Sequence, residues 1–479
     1  MRLPTHKTKI VCTIGPASRS EALLERLMLQ GMNVARLNFA HGTLQGHRED
    51  MQRIRTVAAR LQHHCLIMAD LPGPKIRIGQ LLEEPLLLEK GDEVVLTVKD
   101  LMGTPTQIPV EYKRLPESVT SGDLIFLNDG FIQLQVEQVS GEEVFCRTVI
   151  GGPLLSHKGL SIPGVKIVAE AVSEKDLEFV AFALQEGVDA FGVSFAETAD
   201  DLLKVKGFAQ ERGQSAYVVA KIERAEAIDN FDGILSAADA IMIARGDLGV
   251  QIPLQDVPAV QKRLIHQANL LGRPVITATQ MLVSMTENIR PTRAEVSDVA
   301  NAILDGTDAV MLSEETAIGR YPVEAVEMIS QIAISAEREE KGVRALADLP
   351  AYFRAAVGSG NAAVEDVVTL HAVESAGALK VRYILTHAQG RAAPCLISRF
   401  RPDCWILSHG GDDQTNTFLA LSYGVHPVRL DGATTGLADK AVRWLVTAGL
   451  VEKDESLIWV EDESPDDSLE ALSMKIFKV

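Results

Sequence analysis

Residues 216–247 read AYVVAKIERAEAIDNFDGILSAADAIMIARGD. One apolar run of strand character ends on Lys221-Ile-Glu223, a helical stretch follows, and a second apolar run ends on Ala244-Arg-Gly-Asp247. Apolar strands alternating with helix-length segments describe parallel strands joined by crossover helices. Positions i and i+2 of a strand face the same side, so Lys221 with Glu223, and Arg245 with Asp247, can aim two charged groups into one space at a strand's end. Arg36 with Asn38 and Thr277 with Thr279 repeat the pattern.

Working outward, the same alternation predicts strands at 9–14, 32–38, 66–70, 188–194, 216–222, 240–245, 274–279 and 307–312. Eight strands, each followed by a helix or an insertion, make an α/β fold of the (β/α)8 TIM-barrel type. Its helices start on signals such as Ser173-Glu-Lys-Asp176, a capping box. Between 71 and 165 the pattern changes to short Val, Leu and Ile runs punctuated by Gly, Pro and Asp, an inserted all-β domain. Residues 340–360 read as a connector, and 355–479 as a C-terminal α/β domain on a small parallel or mixed sheet. The expected division is therefore a barrel of 1–70 and 166–340, a lid of 71–165 and a regulatory domain of 355–479.

Composition narrows the function. The 479 residues are 46% hydrophobic and carry a formal net charge of −18. That balance argues against nucleic acid, which needs a basic face. Apolar runs break well before the roughly 20 residues of a membrane span, and the N-terminus has no apolar export segment, so a cytoplasmic protein away from membranes is expected. Cys12, Cys65, Cys146, Cys395 and Cys404 are odd in number and never spaced as CxxC, which suits buried thiols in a reducing compartment.

The strand ends carry the chemistry. Glu223 and Asp247 on one rim suit Mg2+, which keeps several waters and takes one or two protein carboxylates; an ordinary Lys–Glu ion pair is an equally good reading of Lys221-Ile-Glu223 alone. Gly246 and Gly249 around Asp247 would let backbone N–H groups approach an anion, or make only a turn. Arg36 and Arg77, reaching in from two strand ends, suit phosphoryl oxygens, whereas either alone is a solvated charge. Thr279 and Ser313 offer hydroxyls, although a strand Thr is often just a β-former.

Taken in order, Lys9-Ile-Val-Cys-Thr-Ile-Gly-Pro-Ala-Ser18, Asn33-Val-Ala-Arg-Leu-Asn-Phe-Ala-His-Gly42, Lys221-Ile-Glu223, Ala244-Arg-Gly-Asp-Leu-Gly249, Thr277-Ala-Thr-Gln-Met-Leu282 and the run Arg290–Asn301 resemble pyruvate kinase, of the bacterial type with a lysine at the K+-replacing position. The resemblance covers essentially the whole chain. It implies transfer of phosphate from phosphoenolpyruvate to ADP, giving pyruvate and ATP in the last step of glycolysis. It also implies Glu223 and Asp247 as Mg2+ ligands, with Mn2+ as an alternative, and Gly246 and Asp247 as the backbone site for the substrate carboxylate. Lys221 becomes the central lysine, Arg36 the substrate-phosphate arginine, and Thr279 the hydroxyl beside the enolate carbon. Asn38, Arg77 and Lys158 match positions that contact the nucleotide or the transferring phosphate. The inserted domain is expected to close as a lid, with Pro72 and Gly164 as hinges. A homotetramer is implied, with the helix starting at Arg290-Pro-Thr-Arg293 as an interface.

Departures from the family pattern carry expectations of their own. In the K+ region Asn38 and Asp70 remain, but the usual serine is Ala40 and the usual acidic residue is Lys75. A fixed ammonium can stand in for a monovalent ion, so activity without K+ is expected, the alternative being that Lys75 faces solvent. The effector loop reads Thr386-His-Ala-Gln-Gly-Arg-Ala-Ala393, one residue longer than usual and short of hydroxyls, which leaves open a phosphorylated-metabolite effector at another pocket or none. Glu314 replaces a small residue. Two other classes compete with a kinase: a non-catalytic binding protein, which the full set of chemical residues argues against, and a Mg2+-enolate lyase, which the lid with Lys158 and the two arginines argues against.

Overall fold

In the computed structural model the described residues are 3–128, 130–164, 170–339, 348–388, 390–410, 412–428, 437–462 and 472–479. The barrel strands are β1 (Lys9–Thr13), β2 (Met32–Asn38), β3 (Leu66–Asp70), β4 (Ala190–Val193), β5 (Tyr217–Ile222), β6 (Ala240–Ala244), β7 (Val275–Ala278) and β8 (Ala309–Leu312). They close in sequence order into a parallel barrel, β8 pairing with β1 through Lys9–Ala309 to Cys12–Leu312. All eight expected strands form, within one or two residues at each end.

Period-two alternation divides each strand between two cores. Val11, Val34, Met68, Val219, Met242, Ile276 and Met311 pack inside the barrel, while Ile10, Ala35, Ile67, Ala220 and Ile243 face the surrounding helices. At the base, Phe418 and Leu421 of the C-terminal domain join the inner core, with Phe418 stacked on Tyr217 at 4.2 Å. At the mouth, the next inward positions are Thr13, Arg36, Asp70, Gly192, Lys221, Ala244 and Ala278. Polar groups on β1, β2, β3 and β5 thus face small residues on β4, β6 and β7.

Local signals set the helix starts. Ser173 and Asp176 form the expected capping box, and Thr292 with Glu295 forms another ahead of Arg293–Leu304. The inserted segment is all-β apart from the short helix Leu115–Ser118. It has a six-stranded sheet and a two-stranded one around a separate core that includes Ile78, Leu96, Ile125 and Leu134. The C-terminal sheet is mixed: Val425–Pro427, Trp405–His409, Tyr383–Ala388 and Ser456–Asp462 are parallel, and Leu472–Lys478 runs antiparallel at the edge.

Part of the expected connector is helical instead, from Asp348 to Gly358. Leu349 and Phe353 there bury against Leu370 and Phe400, a 3.6-residue stripe that needs the C-terminal domain as its partner. Residues 340–347 of that connector, the expected lid boundary at 165/166 and Gln389 of the effector loop lie outside the described residues. Among the described residues no helix is long and apolar enough to cross a membrane. The five cysteines are buried free thiols.

Candidate active site

Asp70, the last residue of β3, sits at the centre of the barrel mouth and is almost fully buried. Its Oδ2 accepts from Arg36 Nε at 2.6 Å and pairs with Arg36 Nη2 at 2.5 Å; its Oδ1 lies 3.1 Å from Lys221 Nζ. Room for this carboxylate depends on β4. A Cβ on Gly192, the residue paired with Asp70, would stand 3.1 Å from Oδ1.

Lys221 also reaches Glu223 Oε1 at 2.9 Å and donates to Ser194 Oγ at 2.6 Å. Glu223 accepts the Phe195 N–H on its other oxygen at 2.9 Å, and Arg36 donates from Nη1 to Thr13 Oγ1 at 2.9 Å. Four charges, two of each sign, thus share a largely water-excluded space. Such a cluster is held by its pairing, because removing one member strands another.

Burial opposes the charged forms of Asp70, Lys221 and Glu223; at the first two the neighbours outweigh it, and at Glu223 burial prevails. Burial raises the Asp70 carboxyl, but Arg36 and Lys221 outweigh it and hold its pKa below the ordinary value. Burial lowers the Lys221 ammonium, yet Asp70 and Glu223 outweigh that, and its pKa stands above an ordinary lysine's. Glu223 is raised by burial, with Asp247 adding to the effect and Lys221 opposing it. Two acidic oxygen donors without histidine or thiol partners suit Mg2+ or Mn2+ and not zinc. No group of three or more His, Cys, Asp or Glu side chains placed to hold a metal occurs among the described residues.

The second half of the rim corrects the strand-end reading. Arg245 and Asp247 belong to a short helix, Arg245–Gln251, that begins as β6 ends, so they do not share a strand face. Asp247 pairs with Lys75 Nζ at 3.0 Å, whereas Arg245 turns toward the end of β7. Thr277 and Thr279 are also parted. Thr277 is buried and donates to Thr307 Oγ1 at 3.0 Å, while Thr279 lies beyond β7 with φ 69°, followed by Gln280 at φ 54°. A left-handed β-branched residue is a genuine outlier, and each such position costs about 1–3 kcal/mol. It places Thr279 Oγ1 where it accepts the Gly246 N–H at 2.8 Å and donates to Ala278 O at 2.6 Å.

The imidazole of His41 is held below the ordinary value first by burial and then by the charges of Arg77, Arg36 and Lys75. Lys75, paired with Asp247 Oδ1 and 28% exposed, is not simply directed at solvent. Arg77 donates to His157 O at 2.9 Å on the inserted domain. Asn38 is spent locally, its Oδ1 accepting from Ala40 N–H at 3.1 Å. Lys158 is part-exposed; its carbonyl accepts the Ile78 N–H, and among the described residues no ion pair joins its side chain to the barrel cluster. Ser313 N–H is taken by Glu315 at 2.7 Å.

Thr13, Ser194 and Glu315 were not singled out from sequence. Thr13 and Ser194 had a usable signal: each lies at a strand's end, in phase with the inward residues Val11 and Ala190.

Comparison with known proteins agrees with this architecture. The family model described as pyruvate kinase, barrel domain, matches residues 5–326, and that for the pyruvate kinase alpha/beta domain matches 366–476. A pyruvate kinase of Thermococcus litoralis is 46% identical over 484 residues, spanning all of both chains. One of Staphylococcus epidermidis is 41% identical over 456 residues, 94% of this chain and 77% of the relative. The crystal structure of a pyruvate kinase from Cryptosporidium parvum superposes with a TM-score of 0.88 at 33% identity, covering 99% of this chain and 96% of that one. With both domain models matched in order and relatives aligned along its length, this chain belongs to the pyruvate kinase family of phosphotransferases.

Proposed function

We propose that the barrel mouth moves the phosphoryl group of phosphoenolpyruvate to ADP with Lys221 at its centre. The observation that carries this reading is the placement of Lys221 Nζ between the carboxylates of Asp70, at 3.1 Å, and Glu223, at 2.9 Å. Phosphoryl transfer breaks the bond from phosphorus to the enol oxygen and forms one to a terminal oxygen of ADP. Charge stabilisation matters more in this step than covalent help. Lys221 neutralises the moving phosphoryl and the enolate it leaves, and Arg36, braced by Asp70 and Thr13, grips phosphoryl oxygens.

Glu223 and Asp247 would hold the divalent ion, Mg2+ or Mn2+, which supplies a Lewis-acid charge for substrate oxygens. The backbone at Gly246 and Asp247 receives the substrate carboxylate, which takes over the Gly246 N–H now bonded to Thr279. Released in this way, the Thr279 hydroxyl orients a water or relay toward the enolate carbon, which gains a proton as the carbonyl re-forms. A threonine is too weak an acid to act alone.

Asn38, Arg77 and Lys158 serve the nucleotide and the transferring phosphate. The segment 71–165 closes about Pro72 and Gly164 to bring Lys158 in and keep water out. Lys75, beside Asp247 in the region of Asn38 and Asp70, takes the place of K+. We further read the chain as a cytoplasmic homotetramer with an interface at the helix after Thr292, and 355–479 as its regulatory domain, open to a phosphorylated-metabolite effector. A coupled assay with phosphoenolpyruvate, ADP and Mg2+ tests the whole; absence of pyruvate formation overturns it.

A further inference from the structure

The strand-end pairing of Arg245 with Asp247 expected from sequence is replaced by a different set of contacts, because both residues lie on the helix Arg245–Gln251. The Arg245 side chain, 12% exposed, brings the guanidinium to the turn that carries Thr279. Nε donates to Ala278 O at 3.2 Å, and Nη2 donates to Thr279 O at 2.8 Å and meets Met281 Sδ at 2.9 Å. Nη1 is held from behind by Asp298 Oδ1 at 2.7 Å and Gln261 Oε1 at 3.4 Å. The exit of the same turn is held by Glu315, which accepts the Leu282 N–H at 3.0 Å.

Thr279 and Gln280 are both left-handed and neither is glycine, so the turn persists only because its surroundings over-determine it. A planar fork that takes two successive carbonyls fixes their relative direction, which a single ammonium cannot do. Arg245 is also the residue before Gly246. One short stretch of backbone thus supplies both the amide that bonds the Thr279 hydroxyl and the side chain that shapes its turn.

We propose that Arg245 is a positioning residue for the proton-transfer half of the reaction, holding Thr279 in the left-handed conformation that sets its hydroxyl against Gly246. This rests on the role given to Thr279 above. The test uses the full-length enzyme and the variants Arg245→Met, Arg245→Lys, Thr279→Ala and the double variant Arg245→Met with Thr279→Ala. The readouts are kcat and KM for phosphoenolpyruvate, and exchange of the pyruvate methyl hydrogens in deuterium oxide followed by NMR.

Arg245→Met should lower methyl exchange by about a hundredfold, the scale of a misplaced group, with KM for phosphoenolpyruvate moving less than about threefold. Arg245→Lys should not restore exchange. In the Thr279→Ala background, Arg245→Met should cost less than about threefold more, because the group it positions is gone. Should Arg245→Met fail to fold, Asp298→Asn, which loosens the guanidinium without removing it, should slow exchange by about tenfold. Losses that multiply in the double variant overturn the inference. So does normal exchange in Arg245→Met, or in Asp298→Asn where that variant is used, beside slow exchange in Thr279→Ala, and this outcome leaves the role of Thr279 standing. Normal exchange in Thr279→Ala brings down that role and this inference with it.

Discussion

Lys75 Nζ lies 3.0 Å from Oδ1 of Asp247. The pair ties the chain entering the inserted domain to the helix that follows β6, and sets a fixed cation against one of the two proposed metal-binding carboxylates. Both side chains remain about a quarter exposed, so the contact is open to exchange when substrate and metal arrive.

Activity should therefore persist in a tetramethylammonium buffer with no K+ or Na+. Lys75→Met should lower turnover there by about tenfold or more, the size of one lost charge-assisted contact, and KCl should recover part of the loss. A wild-type enzyme that is inert until KCl is added would show that Lys75 does not replace the ion.

Lys221→Met should cost at least about a thousandfold in kcat, because it removes the positive charge that the proposed mechanism sets against both the phosphoryl group and the enolate. Arg36 still partners Asp70, and the Phe195 N–H still partners Glu223, so circular dichroism should match the parent. Turnover within tenfold of the parent would remove Lys221 from the mechanism.

Asp70→Ala should destabilise the protein by about 3–5 kcal/mol in urea unfolding, since it leaves Arg36 without its carboxylate and Lys221 with one of two. The sign with pH follows from the depressed Asp70 carboxyl. Its stabilising contribution is present above the unfolded value of about 4 and is lost as pH falls toward its folded value. Equal stability of variant and parent at pH 7 would contradict the buried pairing.

At the opposite end of the barrel, His6, His63, His64 and His426 line a cavity of about 1220 Å3 against the C-terminal domain. His426 is lowered to about 3 by burial and then by the charges of Lys9, His64 and His63. The folded state thus keeps it neutral while the unfolded chain takes up a proton below about 6.5, so stability falls as pH falls through that value. Between pH 7 and 5 this one residue should account for about 2 kcal/mol, and His426→Gln should lose that much less than the parent over the same range. Parallel pH profiles for the two proteins would exclude the effect.

The barrel was legible because its signals are local. Lys221 on β5 and Asp70 on β3 each close an apolar run of strand length, a pattern that lies wholly in neighbouring residues. The inserted all-β segment was legible from its short punctuated strands, and the helix at Glu174–Gln185 from its capping box. The reading failed where a strand ended sooner than its apolar run. Arg245 and Asp247 lie on a helix, and Thr279 lies in a left-handed turn, where period-two reasoning has no hold. The helix at Asp348–Gly358 was missed because its apolar stripe is completed by Leu370 and Phe400, residues distant in the chain.

From the order of residues alone came eight strands, the pairs of positions that share a strand side and the acidic and basic groups near the strand ends, because a strand's alternation depends only on neighbouring residues; which side faces the barrel interior came from the closed structure. Tertiary structure alone decided that Asp70 stands between Arg36 and Lys221, that Lys75 meets Asp247, and that Arg245 grips the turn of Thr279. Those meetings depend on barrel closure and register, which bring together groups from 34 to 172 positions apart, and on burial, which makes each charge depend on the partner it finds.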